Sequence, residues 1–129
     1  MNENETAKQI LDAAFLVHTK LGPGLLESVA VLAHESLKTG LVMERQKPIG
    51  IQYDGLIFEE GFRADLIVGS CVIVELKSIA ALAAVHGKKL LTQLRLSGLK
   101  LGLLINFGEA HLKNGIQRVI NDSLDEVSF

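Results

Sequence analysis

A chain of 129 residues, 48% of them hydrophobic and with a mean hydropathy of +0.31, has the length of one domain (about 100–200 residues) and is too apolar for a disordered polyampholyte. No apolar run approaches the ~18 residues of a membrane-spanning helix, the polar start MNENETAKQ is neither signal nor transit peptide, and the lone Cys71 excludes an internal disulfide and a cysteine-based zinc site. Thirteen basic and fifteen acidic residues leave a formal charge of −2, which names no partner; what remains is a single soluble cytoplasmic domain over residues 1–129, with no membrane contact.

Ile10, Ala13, Ala14, Val17 and Leu21 recur at helical spacing and predict an amphipathic helix over about Thr6–Lys20, broken by Gly22-Pro23-Gly24. A second helix, about Leu26–Lys38 and closed by Gly40, is apolar nearly all round and should be sandwiched between layers. Period two then takes over: Ile49, Ile51 and Tyr53 alternate, Asp54-Gly55 marks a hairpin, and Leu56–Phe58 begins the return strand. Strands Phe62–Val68 and Cys71–Lys77 flank a Gly69-Ser70 turn, residues 79–97 read as a helix, and Leu99–Asn106 reads as a strand covered on both faces. A short helix over about Leu112–Asn121 and a polar tail, 122–129, complete the order ααβββ(β)αβα, an α/β fold with helices packed on a mixed sheet.

Charge is uneven along this order. Residues 1–60 hold nine acids and five bases, residues 61–129 six acids and eight bases, and the stretch 76–108 carries Lys77, Lys88, Lys89, Arg95 and Lys100 with no acid. Such a patch can attract phosphate, although on charge alone a solvated helix face is the plainer reading.

The sharpest chemical feature is Glu75-Leu76-Lys77. On a strand, Glu75 and Lys77 share one face and Val74 and Leu76 the other, and the apolar neighbours predict a central strand where charges are costly unless used or paired. A salt bridge between the two, or a strand end emerging into water, is the ordinary explanation. Asp65 sits ten residues earlier, mid-strand among apolar neighbours, where aspartate is depleted. Two strand-borne carboxylates and a lysine suit a hard divalent cation such as Mg²⁺, which takes one or two carboxylates and leaves positions for water and phosphate. The register decides whether they can cooperate. A strict two-residue Gly69-Ser70 loop pairs Val68 with Cys71 and sends Asp65 and Glu75 to opposite faces; a three-residue loop or a bulge brings them together. The turn sequence favours the first, and the metal chemistry requires the second.

Gly22-Pro23-Gly24-Leu25-Leu26-Glu27, Glu44-Arg45-Gln46, Gly61-Phe62-Arg63-Ala64-Asp65, Val72-Ile73-Val74-Glu75-Leu76-Lys77 and Leu103-Leu104-Ile105-Asn106-Phe107 follow one another in order. Over about residues 8–121 this pattern resembles the GxxExxY proteins, a branch of the PD-(D/E)XK nuclease superfamily. The resemblance implies a restriction-endonuclease-like αβββαβ core with an extra N-terminal helix, metal ligation by Asp65 and Glu75 completed by the helix-borne Glu27, and Lys77 as the catalytic lysine. His18 falls in the family's Val-His-x-x-Leu-Gly pattern; packing that orients the Gly22–Gly24 turn suits it better than ligation of Mg²⁺, which prefers oxygen. His86 reads as structural or phosphate-facing. Three departures stand out: the tyrosine ending GxxExxY is Ala30, the proline of PD is Ala64, and the family's glutamine in the helix after Glu-x-Lys is Lys89. Lysine cannot accept a hydrogen bond and so cannot replace glutamine, although it can contact phosphate.

These residues lead to a metal-dependent nuclease hydrolysing phosphodiester bonds in DNA or RNA with Mg²⁺ or Mn²⁺. Lys88, Lys89 and Arg95 would steer backbone phosphates. The alternative is a catalytically inactive nuclease fold kept as a nucleic-acid-binding or protein-interaction module, which Ala30 and Lys89 favour and the intact Asp-Glu-Lys trio opposes. One tyrosine and no tryptophan leave little for base stacking on those residues. A homodimer through the apolar second helix is the assembly to be expected.

Overall fold

The computed structural model describes residues 1–122; the tail expected beyond Asp122 lies outside the described residues. Asn2 starts the first helix, α1 (Glu3–Leu21), by accepting the Glu5 N–H on its side-chain oxygen at 2.8 Å, and Gly22 ends it with its N–H on the His18 carbonyl. The stripe Thr6, Ala7, Ile10, Ala13, Ala14 and Val17 is buried, as the spacing predicts. The second helix, α2 (Ser28–Leu37), is shorter than expected and buries only Ser28, Leu32, Ala33 and Ser36. It is not sandwiched: Leu37 is 66% exposed, and Leu26, ahead of the helix, 87%. Its apolar character overstated its burial, because just one face meets α1 and the sheet.

Five strands follow: β1 (Met43–Tyr53), β2 (Leu56–Val68), β3 (Val72–Lys77), β4 (Leu101–Asn106) and β5 (Ile116–Ile120), with the third helix, α3 (Ala84–Ser97), between β3 and β4. They lie in the order β1-β2-β3-β4-β5, with β3 and β4 parallel and the other pairs antiparallel. The parallel pair is what the α3 crossover permits. The return strand of the hairpin is one continuous β2, not two short strands, and it pairs with β1 along its length through a register shift between Ile49 and Ile51. β4 is buried throughout, the burial expected of its unbroken apolar run. The expected final helix is instead a 3-10 turn, Leu112–Gly115, leading into edge strand β5. Gly115 interrupts the helical pattern, and the β-branched Ile116, Val119 and Ile120 favour a strand.

The sheet divides two cores. Leu66, Val68, Val72, Val74, Leu76, Leu101, Leu103 and Ile105 face α1 and α2, while Ile67, Ile73, Leu104 and Val119 face Leu90 and Leu94 of α3. This is a mixed α/β architecture with a five-stranded sheet flanked by helices. It contains the αβββαβ order of a restriction-endonuclease-like fold (α2, β1–β3, α3, β4), preceded by α1 and extended by β5.

The exit from the central strands is held by one buried side chain. Asn106, fully buried and paired with Lys77 across β4 and β3, accepts the Ile79 and Gly108 N–H groups on Oδ1 and donates from Nδ2 to the Ile79 carbonyl, each at 3.0 Å. These bonds keep residues 78–83 as a loop, so α3 begins at Ala84 rather than at 79. Gly108 is obligatory in this clamp, since a Cβ there would stand 2.0 Å from the Ile79 carbonyl oxygen. Leaving such buried groups unpaired costs about 1–3 kcal/mol each. Asn106→Ala should therefore lower stability by roughly 3 kcal/mol, and Gly108→Ala should be at least as damaging; urea midpoints close to wild type for both would show that the clamp is dispensable.

Candidate active site

The position of the site is decided at the β2–β3 turn. Gly69 and Ser70 both take left-handed backbone (φ 58° and 57°), and the Cys71 N–H closes on the Val68 carbonyl at 3.1 Å. That is the two-residue turn the sequence suggests. Cys71, however, is bulged: Val68 pairs with Val72, Ile67 with Ile73 and Leu66 with Val74. Cys71 and Val72 both pack toward α1, and the Cys71 Sγ reaches Thr6 Oγ1 at 3.7 Å. Burying two consecutive residues on one face is what a bulge allows. The expected strict register is thereby overturned, and Asp65 comes opposite Glu75.

At that level the ladder stops. β1–β2 pairing skips Gln46 and Asp65, with Gln46 at φ 50°, and β2–β3 pairing ends at Leu66–Val74. Ala64 packs on the α3 side whereas Leu66, two residues on, packs on the α1 side, so β2 changes face at Asp65. The two carboxylates occupy the gap reciprocally. Asp65 Oδ2 accepts the Leu76 N–H at 2.9 Å, and Glu75 Oε1 accepts the Asp65 N–H at 3.3 Å. Each acid thus stands in for a missing ladder partner.

Glu75 and Lys77 project together onto the α3 face, where they line a cavity of about 50 Å³ with His86, Lys89, Leu90 and Gln93 of α3 and Leu104 of β4. The helical residues recur at i, i+3, i+4 and i+7, one face of α3. The cavity is large enough for a small number of waters. No Glu75–Lys77 salt bridge forms; among the described residues the ion pairs are Lys8–Asp12, Lys38–Glu35, Lys47–Glu44 and Arg63–Glu60. His86 Nδ1 accepts the Ala83 N–H at 2.8 Å and so caps α3, which leaves the hydrogen of the neutral ring on Nε2. His86 is therefore structural through one nitrogen, and it also lines the cavity.

The remaining expected residues are distributed differently. Of the basic trio only Lys89 lines the cavity; Lys88 and Arg95 are exposed elsewhere on α3. Glu27 is exposed just ahead of α2 and makes no side-chain cap, and among the described residues no group of three His, Cys, Asp or Glu side chains is placed to hold a metal. The structure therefore gathers Asp65 and Glu75 but not Glu27 with them. His18 packs as expected: its ring stacks on Phe107 with centroids 6.3 Å apart, its Nε2 lies 2.8 Å from the Glu109 carbonyl, and the Phe107 carbonyl takes the Gly24 N–H of the turn. Gln93 escaped the sequence reading, and its signal was the spacing of four from Lys89 and seven from His86. Its Oε1 is buried without a hydrogen-bond partner.

Electrostatics favour a cation here. Burial first, and the adjacent Asp65 carboxylate second, push Glu75 up to about 8, against the smaller opposing pull of Lys77. At neutral pH the pair thus tends to hold a proton, and a dication would relieve the repulsion between the two carboxylates, whose donors are oxygen. Two carboxylates are a fit for Mg²⁺, which completes its shell with water. A carboxyl raised in the folded state gives stability that is complete below its ordinary value near 4.5 and is lost as pH climbs toward 8. Without divalent ions the melting temperature should fall by several degrees between pH 5 and pH 8. Glu75→Gln should flatten that fall, and Mg²⁺ should stabilise the wild type more at pH 8 than at pH 5. A wild-type profile flat across this window in EDTA would refute the account of Glu75.

No helix among the described residues is long and apolar enough to cross a membrane. No curated protein and no solved structure matches the chain. A family model does, over residues 4–119, a span that includes all five strands except the last residue of β5 and both carboxylates. With the sheet order, the flanking helices and the Asp65–Glu75–Lys77 geometry already in place, that match decides the family: the chain belongs to the PD-(D/E)XK nuclease superfamily.

Proposed function

We propose that this protein is a divalent-metal-dependent nuclease of the GxxExxY branch that hydrolyses phosphodiester bonds in DNA or RNA. The observation that carries the reading is the reciprocal placement of Asp65 and Glu75 in a gap of the sheet, with Lys77 on the same face as Glu75. Asp65 and Glu75 would hold Mg²⁺ or Mn²⁺; Glu27, which the structure leaves apart from them, is not included among the proposed ligands. The ion would supply charge to the phosphoryl oxygens and make water a better nucleophile. Lys77, free of a salt bridge among the described residues, places an ammonium beside the water and the developing charge on phosphorus. Water oxygen bonds to phosphorus, the bond to one ester oxygen breaks, and that oxygen leaves with a proton. Lys89 at the cavity and Lys88 and Arg95 along the same helix would meet the flanking phosphates.

The decisive assay incubates purified protein with single-stranded, duplex and branched DNA and RNA in Mg²⁺, Mn²⁺ or EDTA. Metal-dependent cleavage is expected. Lys77→Ala should lower it by about 10²–10³-fold, the usual cost of one charge-stabilising donor, while metal-dependent binding of the oligonucleotide persists. Asp65→Ala should lose metal binding as well. Cleavage undiminished in Lys77→Ala would overturn the mechanism, and a wild type that binds these oligonucleotides without cutting any would leave the inactive binding module.

A separate expectation concerns the acid-free helix. Each phosphate neutralised contributes about −0.9 to the slope of log affinity against log salt on duplex DNA. The double variant Lys88→Ala, Lys89→Ala should bind duplex DNA more weakly and with a slope shallower by roughly one to two. An unchanged slope would assign both lysines to ordinary surface.

A further inference from the structure

The hairpin of β1 and β2 carries an apolar face that the rest of the molecule leaves unused. Ile49 pairs with Phe62, Ile51 with Phe58 and Tyr53 with Leu56, so alternation puts these side chains on one side of the sheet. Ile49 and Phe62 pack against the core beneath α3, which makes that side the α3 side. The outer residues are open: Tyr53 is 67% exposed, Leu56 62% and Phe58 47%, with Ile57 at 75% on the opposite side. Apolar residues exposed singly are ordinary, but a contiguous group at the tip of a two-stranded arm marks a contact surface.

Charge narrows the choice of occupant. Residues 49–62 hold Asp54, Glu59 and Glu60 and no base, which disfavours a phosphate backbone and an anionic lipid surface alike. Strand addition along β1 is also disfavoured, because Lys47 and Pro48 blunt that edge. A surface of the complementary kind lies in this same chain. Helix α3 exposes Lys88, Lys89 and Arg95 and contains no acid. Between it and β2, Gly61, Phe62, Thr92 and Leu96 line a groove of about 240 Å³ together with Lys89 and Gln93. That is smaller than the about 300–1,000 Å³ of small-molecule sites and is suited to side chains.

We propose that a second copy of this chain occupies the hairpin, in a two-fold dimer where the tip of each copy, Tyr53, Leu56 and Phe58, enters the α3 groove of the other and its acids meet the bases of that helix. The apolar face and the basic groove lie on one side of the sheet, so a single two-fold axis can make both contacts at once. The outer hairpin and the exposed face of α3 together have the extent of a specific interface, about 20–30 residues a side. The dimer forms through this face rather than through α2. It uses none of Asp65, Glu75 and Lys77 and so stands independently of the metal-site reading. The groove adjoins the carboxylate cavity through Lys89 and Gln93, so the hairpin of one copy borders the site of the other and contends with nucleic acid for Lys88 and Lys89.

Sedimentation over a concentration series tests the assembly. The wild type should pass from monomer to dimer. Tyr53→Ser combined with Leu56→Ser, both at exposed positions, should weaken association by about tenfold or more while the melting temperature of the monomer is unchanged. Two charge reversals identify the faces that meet: Glu59→Lys with Glu60→Lys, and Lys88→Glu with Lys89→Glu. Each sets like charges against one another in both halves of the dimer and should weaken self-association by about 100-fold. An equimolar mixture of the two variants should recover a dimer, because each hairpin then meets a helix of opposite charge. A wild type that stays monomeric at the highest concentration reached would overturn the proposal. So would a dimer indifferent to the tip substitutions, or a mixture of the charge variants that does not associate.

Discussion

Two carboxylates are forced together at a place where a β-sheet cannot complete itself. Past Leu66–Val74 the backbone groups of β2 and β3 no longer pair, and a buried N–H without an acceptor is as costly as a lost hydrogen bond. Asp65 and Glu75 satisfy one another's strands, so the acids are held by backbone geometry rather than by flexible surface contacts. The same arrangement prevents either acid from escaping the other. Proximity and burial raise Glu75, and a cation is the natural relief.

The remainder of the fold presents that gap to solvent on one side only. The α1 and α2 layer seals the face carrying Leu66, Val74 and Leu76, so the chemistry-bearing side chains of β3 emerge beneath α3. Asn106 fixes the path by which the chain leaves β3 and thereby where α3 begins. Had the helix started at residue 79, His86, Lys89 and Gln93 would face the sheet from the middle of a longer helix; beginning at Ala84, His86 both caps it and reaches the cavity. A local constraint at the strand ends thus makes His86, a cavity residue, the one that caps α3.

Much of this was legible in residue order. The helical stripe of α1, the Asp54-Gly55 hairpin, the unbroken apolar β4 and the shared face of Glu75 and Lys77 follow from periodicity alone. The register did not, because it turned on whether Cys71 would pair or bulge, and that choice is made by its packing against Thr6 and α1, remote in sequence. The start of α3 was hidden for a related reason: Ala80–Val85 has helical composition, and only the buried amide of Asn106, far along the chain, takes the backbone of Ile79 out of a helix. The terminal strand is hidden because only Gly115 and the β-branched Ile116, Val119 and Ile120 separate it from the short helix expected over about Leu112–Asn121. Glu27 illustrates the limit of a motif. A sequence pattern records that a residue recurs and leaves its distance from the others unspecified.

Two groups that look unfavourable in isolation stand side by side on β3. Glu75 is held where its charge is disfavoured, and Lys77 projects beside it without an ion-pair partner among the described residues. Elsewhere the apolar side chains of the core are packed, and Asn2 caps the start of α1. A protein retains such costs where they are offset by a ligand that binds the folded state and not the unfolded one. Glu75 and Lys77 thus meet on one face of β3, beneath α3, in a chain that belongs to a nuclease superfamily.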